Sequence, residues 1–443
     1  MPFVVAGVML VVGMAFEFLW IPLVHHQPRW FTQGDMWGMF RAAHYVGWGD
    51  LGGVYAPGNG VVTFPGMAII LAPIAWLSGS LHLTESYDSM FLAHPSAVLL
   101  LLPVELVIAS TVLFAVDALA QDLGVSQRRR VALCVLVAIL AWPTAALWGH
   151  AEDAFVMTLA ICAMRAAMRG RWVRTGWLFG FAIVIQPLIG LVIPLFLAAS
   201  PRGQRLMFAV RCGALSVFTV GVAALGNPSG TYRSLVQQPT PPNINHPTPW
   251  VALAPRVTSL TSGAPAGSGS VPSFGRGGFS SSRVVHRVVM DVSGGPGRTI
   301  DVVIALVVAA YVWRRPQPPV RLMWIAAAVL ASRCFFEAVM TPYYLTPPLI
   351  LTLVLAARRD AWRAVTSAVV TMAVSVYAYL NAGPWTWWLP IVAGLTVTIV
   401  LAFPGDEIPR FDTGDGDASV SDSDRATDAV REPRRSVVTS SIH

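Results

Sequence analysis

RTGWLFGFAIVIQPLIGLVIPLFLAA, residues 174–199, holds one charged side chain, Arg174, at its very start. A bilayer core is crossed by roughly 20 apolar residues in a helix, so a run of this length belongs in a membrane. It is not a plain span. Gln186-Pro187 and Pro194 interrupt it, and proline removes a rung of the helical hydrogen-bond ladder. The pattern predicts two short helices or a re-entrant pair. Inside a bilayer such breaks are tolerated only against protein or a water-filled cavity, which makes the segment a candidate site wall, with a packing kink as the competing reading.

The same character repeats on both sides. Apolar runs cover about 1–24, 62–80, 91–116, 131–149, 152–168, 206–226, 299–313, 321–340, 343–357, 364–381 and 385–403. Over 443 residues, 55% are hydrophobic, 12% are charged, and mean hydropathy is +0.61. Soluble globular chains carry about 25% charge, so that class is excluded. The expected fold class is all-α, a polytopic transmembrane bundle of about 10–13 helices. The first run lacks a basic n-region and a small-residue cleavage site, so it reads as an uncleaved helix, with a start further upstream left open. Glu17 within it is costly in lipid and is expected to face protein or a polar cavity.

All 30 basic residues are Arg, and the formal charge is +7. Nucleic-acid binding does not follow, because the excess sits in short clusters between apolar runs. These are Arg128–Arg130; Arg165, Arg169, Arg171 and Arg174; Arg202 and Arg205; Arg314, Arg315 and Arg321; Arg358, Arg359 and Arg363. The positive-inside rule places all five on the cytoplasmic side of a plasma membrane. Residues 150–153, 227–298 and 337–343 then lie outside, and 174–199 enters and leaves on one side. One conflict remains. If 1–24 runs outward and both 62–80 and 91–116 cross, Arg128–Arg130 lands outside; either 62–80 is re-entrant, bent by Pro65 and Pro73, or the count is off by one. Cys134, Cys162, Cys212 and Cys334 lie within or beside the runs and have no zinc-type spacing.

Residues 1–403 are expected to form one membrane domain, with outer loops at 25–61 and 227–298. The middle of the longer loop, TSGAPAGSGSVPSFGRGGFSSS, is low-complexity. Residues 404–443 carry nine acids and five Arg from Asp406 onward and read as a disordered cytoplasmic tail.

Three constellations carry candidate chemistry. The first loop mixes Trp30, Trp37, Trp48, Tyr45 and Tyr55 with Asp35 and Asp50. Met36–Trp48 fits a short amphipathic helix at the interface, its aromatics at headgroup depth. Asp35 near its start either caps the helix or serves as general base toward a hydroxyl. In WGHAEDAF (148–155), Glu152 and Asp153 are adjacent and expected to point about 100° apart on a helix, not at one metal. With His150 they form a polar rim, cap the helix, or hold a divalent cation together with another segment. In ASRCFFEAVMTPYYLTPP (331–348), Arg333 and Glu337 stand at i,i+4 and are expected to pair; Arg333 alternatively meets a phosphate. Tyr343 and Tyr344 are belt aromatics or stack on a sugar. All three groups fall on one face of an apolar bundle, an arrangement suited to a substrate half lipid and half polar, its chain in an apolar groove.

GDMWGMF (34–40), VYAPGNGVVTFPGMAIILAP (54–73), GHAEDAFVMTLAICAMRAAMRGRWVRTGWLFGFAIVIQP (149–187) and FFEAVMTPYYLTPPLI (335–350) occur in an order that resembles the GT-C superfamily of integral-membrane glycosyltransferases. The likeness is greatest to actinobacterial mannosyltransferases that use polyprenyl-phosphate sugars in building the cell envelope. The resemblance implies a polyprenyl-phosphate sugar donor, a glycolipid or glycan acceptor, and inverting transfer of a sugar, mannose first, on the extracytoplasmic side. It makes Asp35 the catalytic base with Asp50 behind it. Arg333 would neutralise the lipid phosphate, and His150, Glu152, Asp153, Gln186, His246, Glu337, Tyr343 and Tyr344 would bind donor or acceptor. A divalent cation varies within the superfamily. The first loop departs from the superfamily's paired-acid signature, since Met36 follows Asp35. A transporter or flippase of a lipid-linked intermediate is the alternative, and an assembly partner in envelope synthesis a third.

Overall fold

Arginine sorts the two ends of the molecule. In the computed structural model, Arg129 donates to the carbonyl oxygens of Ala357 and Arg359, Arg359 to that of Pro404, and Arg321 to that of Gly405. Arg165 and Arg169 both bind Asp122 at 2.7 Å, and Arg205 lies 3.5 Å from the ring centre of Trp313. All five expected clusters therefore share one end. The structure describes residues 1–20, 23, 30, 34–56, 59–85, 94–240, 246–263, 285–380 and 383–405. The expected disorder of the tail and of the low-complexity stretch falls outside the described residues, as do parts of 25–61.

From this arginine end, α1 (Pro2–Ala15) runs up and continues as a π-turn to Trp20. Phe3 meets Phe114, and Phe16 meets Trp142 at the opposite end. There follow α2 (Gly34–Gly47) and α3 (Gly66–Ser80), which pack together. Then α4 (Val98–Asp122) descends, α5 (Gln127–Ala146) rises, α6 (Ala151–Met168) descends and α7 (Trp172–Ile185) rises. Because α4 starts at the end where α1 finishes, everything between them begins and ends on that side. Of the two ways out of the topology conflict, this one fits 62–80 as a re-entrant element, with Pro65 before the 15-residue α3 and Pro73 inside it.

At Gln186 the helix breaks, as the prolines predict. A 3-10 turn (Pro187–Val192) and α8 (Ile193–Ala199) return to the arginine end, so 174–199 leaves on the side it entered. The long α9 (Arg205–Gly226) rises and ends in α10 (Pro228–Tyr232). The remaining helices alternate: α11 (Gly295–Arg314), α12 (Pro319–Phe336), α13 (Thr346–Arg358), α14 (Ala361–Tyr377) and α15 (Pro384–Leu401).

Seven helices among the described residues are long and apolar enough to cross a membrane, fewer than the 10–13 expected. The 187–199 pair, α7 and α14 are apolar but shorter. The centre is built from small and aliphatic side chains. Ala109, Ala154, Ala160 and Ala163 are fully buried between α4 and α6, where Thr111 and Thr158 hydroxyls bond at 2.8 Å; small residues let membrane helices approach closely. Every residue from Thr346 to Ala357 of α13 is buried, as a helix apolar all round must be. By contrast α9 exposes Val217, Phe218 and Leu225, the face such a helix turns to lipid.

The bundle is not purely helical. Beside the helices, β1 (His246–Pro247) pairs with β4 (Val339–Met340), and β2 (Arg256–Gly263) pairs antiparallel with β3 (Val285–Val292). Strand β2 runs into the start of the low-complexity stretch and β3 follows it, an antiparallel pair inside a segment whose composition predicts only loop. The interfacial helix exists as α2, but Met36, Trp37 and Phe40 are fully buried while Trp48 is 77% exposed. Its aromatics are therefore mainly core and not a headgroup belt, because α3 covers the face that was assigned to lipid.

Candidate active site

The end opposite the arginines collects the acids. Gly149 sits at φ +69°, a conformation open to glycine at no steric cost, and turns the chain from α5 into α6. His150 precedes the helix, and Glu152 and Asp153 stand in its first turn, where the helix dipole favours negative charge. Asp35, in the first turn of α2, reaches the same point from another part of the chain.

His150 lies between two carboxylates. Its Nε2 is 3.1 Å from Asp35 Oδ2, and its Nδ1 is 2.6 Å from Glu152 Oε1. Between two ionised carboxylates both ring nitrogens donate, the arrangement of an imidazolium, whereas a neutral ring would meet one of the acids in its protonated form. Burial alone would lower the His150 pKa, yet the Glu152 charge and the two carboxylate hydrogen bonds carry it well above the ordinary histidine value. Burial would raise Asp35, and the His150 hydrogen bond and charge outweigh it and hold the carboxyl below its usual range. The Asp35 side chain remains 66% exposed, whereas that of Glu152 is 4% exposed. The result is a solvent-open carboxylate anchored on a buried histidine–glutamate pair.

Tyr343 stacks on the His150 ring at 4.3 Å and touches Tyr344 edge-on at 4.9 Å. The Arg333 guanidinium lies 3.6 Å from the Tyr344 ring centre and donates to Glu337 Oε2 at 3.2 Å. The expected i,i+4 pair thus forms. Glu337 Oε1 is shared with Arg298 at 3.4 Å, a second cation that sequence reading missed although GPGRTID (295–301) places an arginine at the start of a span. Thr248 donates to the Glu337 carbonyl, and Trp250 and Trp388 donate to that of Phe335, fixing the end of α12.

Gln186, at the helix break, donates to Asp153 Oδ1 at 3.1 Å and accepts from Thr63. Gly66 makes this approach feasible: a Cβ there would come within 2.4 Å of the Val184 carbonyl oxygen. The proline-broken segment therefore lies against the acids of the cluster. The expected divergence of Glu152 and Asp153 is corrected. One donor atom from each of His150, Glu152 and Asp153 lies within 4.8 Å of the others, because two- and three-bond side chains swing back across the helix end. Asp153 Oδ2 is buried without a hydrogen-bond partner, so Glu152 and Asp153 fit a divalent cation once His150 is neutral and turns a lone pair to it in place of its hydrogen bond to Glu152.

Two expected residues stand apart. Asp50 accepts from Gly53 N–H at 2.9 Å and closes its own turn. His246 stacks on Trp387 at 4.5 Å, and burial lowers its pKa; it shares the end of the bundle, and among the described residues its ring partner is Trp387 and not one of the acids. The apolar gap beside Asp153, Gln186 and Pro347 has a volume of about 10 Å³, room for a water and not for a prenyl chain.

Beneath the cluster two acids enter the bundle. Glu17 is fully buried against protein, as its position in an apolar run required, and Glu105 in α4 is 1% exposed. Glu105 was overlooked; a lone carboxylate in LLLLPVELVIA (99–109) was signal enough.

Fold and site together define a class: a polytopic helical membrane protein with an exposed carboxylate, supported by buried acids and histidine, at one end of its bundle. Comparison with protein-family models, curated proteins and solved structures gave no match.

Proposed function

We propose that this chain is an integral-membrane glycosyltransferase that moves a sugar, mannose first, from a polyprenyl-phosphate donor to a glycolipid or glycan hydroxyl. The observation that carries this reading is the open Asp35 carboxylate held on His150 and Glu152, with the Arg298–Glu337–Arg333 group joined to it through Tyr343 and Tyr344. The carboxylate end is the extracytoplasmic one under the positive-inside rule.

In this reaction the acceptor oxygen attacks the anomeric carbon while the bond from that carbon to the phosphate oxygen breaks. The hydroxyl proton passes to Asp35, polyprenyl phosphate leaves with the electron pair, and configuration inverts. A lowered pKa makes Asp35 a weak base, which suffices because the hydroxyl acidifies as its new bond forms. Arg333 and Arg298, both bound to Glu337, would neutralise the leaving phosphate, for which guanidinium donors are suited. A divalent cation held by Glu152, Asp153 and a neutral His150 would supply charge stabilisation in place of the imidazolium.

The test is transfer from radiolabelled polyprenyl-phosphate mannose and arabinose to a membrane-lipid extract, in nanodiscs, comparing the parent with Asp35→Asn. Transfer by the parent and its loss in a folded variant supports the reading; equal transfer by both removes Asp35 as the base. A transporter or flippase is the second reading, favoured by Glu17 and Glu105 buried within the bundle, since intramembrane acids mark proton pathways. Donor binding without transfer, combined with movement of labelled lipid across vesicles, moves the assignment there.

A further inference from the structure

A groove of about 640 Å³ opens at the arginine end, far from the acids, between the start of α7 and the turn before α9. Arg171 and Arg174 form its mouth; Trp172, Trp177 and Phe181 form its wall, and Gln204 closes one side. Arg174, Trp177 and Phe181 fall at i, i+3 and i+7 and so share one helix face. That face is open: Trp177 is 41% and Phe181 49% exposed.

Several arginines of this end already have partners. Arg165 and Arg169 are neutralised by Asp122, Arg130 by Asp117, and Arg205 is seated on Trp313. Arg171 and Arg174 are exposed and have no acidic partner among the described residues. Two unneutralised guanidinium groups thus sit where α7 meets the headgroup layer, and an apolar aromatic wall leads from them toward the hydrocarbon.

We infer that this groove binds an anionic glycerophospholipid of the arginine-end leaflet. Its phosphodiester lies between Arg171 and Arg174, and an acyl chain lies along Trp177 and Phe181. Charge complementarity selects the occupant: the mouth carries two positive charges and no negative one, and a forked donor suits a phosphate oxygen pair. A zwitterionic lipid brings its own cation against the arginines and is disfavoured. This site is independent of any reaction at the acids.

The purified full chain in detergent is titrated with phosphatidylglycerol or phosphatidylcholine of matched acyl chains, and retained lipid is read by native mass spectrometry. The parent is expected to prefer phosphatidylglycerol. At about 1 kcal/mol per arginine near a charged lipid surface, R171Q/R174Q loses roughly tenfold or more of that preference. R314Q/R315Q, which removes two exposed arginines of the same end outside the groove, keeps it. Trp177→Ala lowers retention of both lipids and leaves their ratio unchanged, a readout that does not depend on charge. Equal loss of preference in the two double variants makes the effect a property of the whole arginine end and overturns the site. An unchanged preference in R171Q/R174Q overturns it as well, as does unchanged retention in Trp177→Ala. Each variant is first checked for a monodisperse elution profile matching the parent.

Discussion

His150 and Asp35 are separated by 115 residues and meet at 3.1 Å. The contact ties the first turn of α2 to the turn before α6. It also sets the protonation of the exposed acid, because the same ring is fixed from behind by Glu152. Replacing His150 by Gln therefore alters chemistry and geometry together. Transfer is expected to fall by about a hundredfold, within the range for disturbed acid–base catalysis. The acid limb of the pH–rate profile is expected to move up, since Asp35 loses the partner that lowers its pKa. A drop in rate with no movement of that limb would count against the pairing.

Stability should follow the histidine. Its folded pKa is raised well above its ordinary value, so its contribution is fully present below about pH 6.5 and fades as pH rises through the higher folded value. Asp35 acts in the opposite sense, contributing above the ordinary carboxylate range and losing its contribution as pH falls through its lowered folded pKa. The melting-temperature gap between parent and His150→Gln is thus expected to be widest near pH 5–6.5 and to narrow on the alkaline side. A gap constant from pH 5 to 10 would show that the charge is not what stabilises.

Glu337 holds two arginines while its side chain is 4% exposed. Removing a partner from a buried ion pair costs about 3 kcal/mol, so Glu337→Gln is expected to lower the melting temperature by several degrees. Arg298→Gln should cost less, because Arg298 is 32% exposed and Arg333 still neutralises the acid. Thermal unfolding of the two variants, followed by tryptophan fluorescence, tests the order. The reverse order would mean that Arg298 is the principal partner.

At Gly66 the obstacle is backbone. A methyl group would stand 2.4 Å from the Val184 carbonyl oxygen, which cannot rotate away as a side chain can. Gly66→Ala is expected to destabilise by about 1–3 kcal/mol, the usual cost of forcing volume into a packed contact. It should also loosen Gln186 from Asp153. The check is melting temperature together with hydrogen exchange across 182–192, and a neutral result would place α3 elsewhere.

Much of this was legible in residue order. The Gln186-Pro187 break announced itself, since proline cannot complete a helical ladder, and Glu17 had to find protein in an apolar run. The pairing of Arg333 with Glu337 followed from one turn of helix. Local rules failed where long-range packing decided. Trp37 was assigned to the membrane interface and is core because α3 lies across it. Residues 62–80 are apolar enough to suggest a span, and it is the starting point of α4 together with the short length of α3 that fits a re-entrant element instead.

The sequence by itself determined a membrane-embedded helical chain, its charge asymmetry and its broken segment, because desolvation of charge and backbone is a property of each segment alone. Which residues share a site was decided by the tertiary structure. Asp35 and His150 come together at 3.1 Å, Asp50 matches Asp35 in type and closes its own turn, and Arg298 gains meaning only by reaching Glu337. Hydrogen bonds and ion pairs act over a few ångströms, whereas these partners are tens to hundreds of residues apart, so only the packing of the bundle brings them within range.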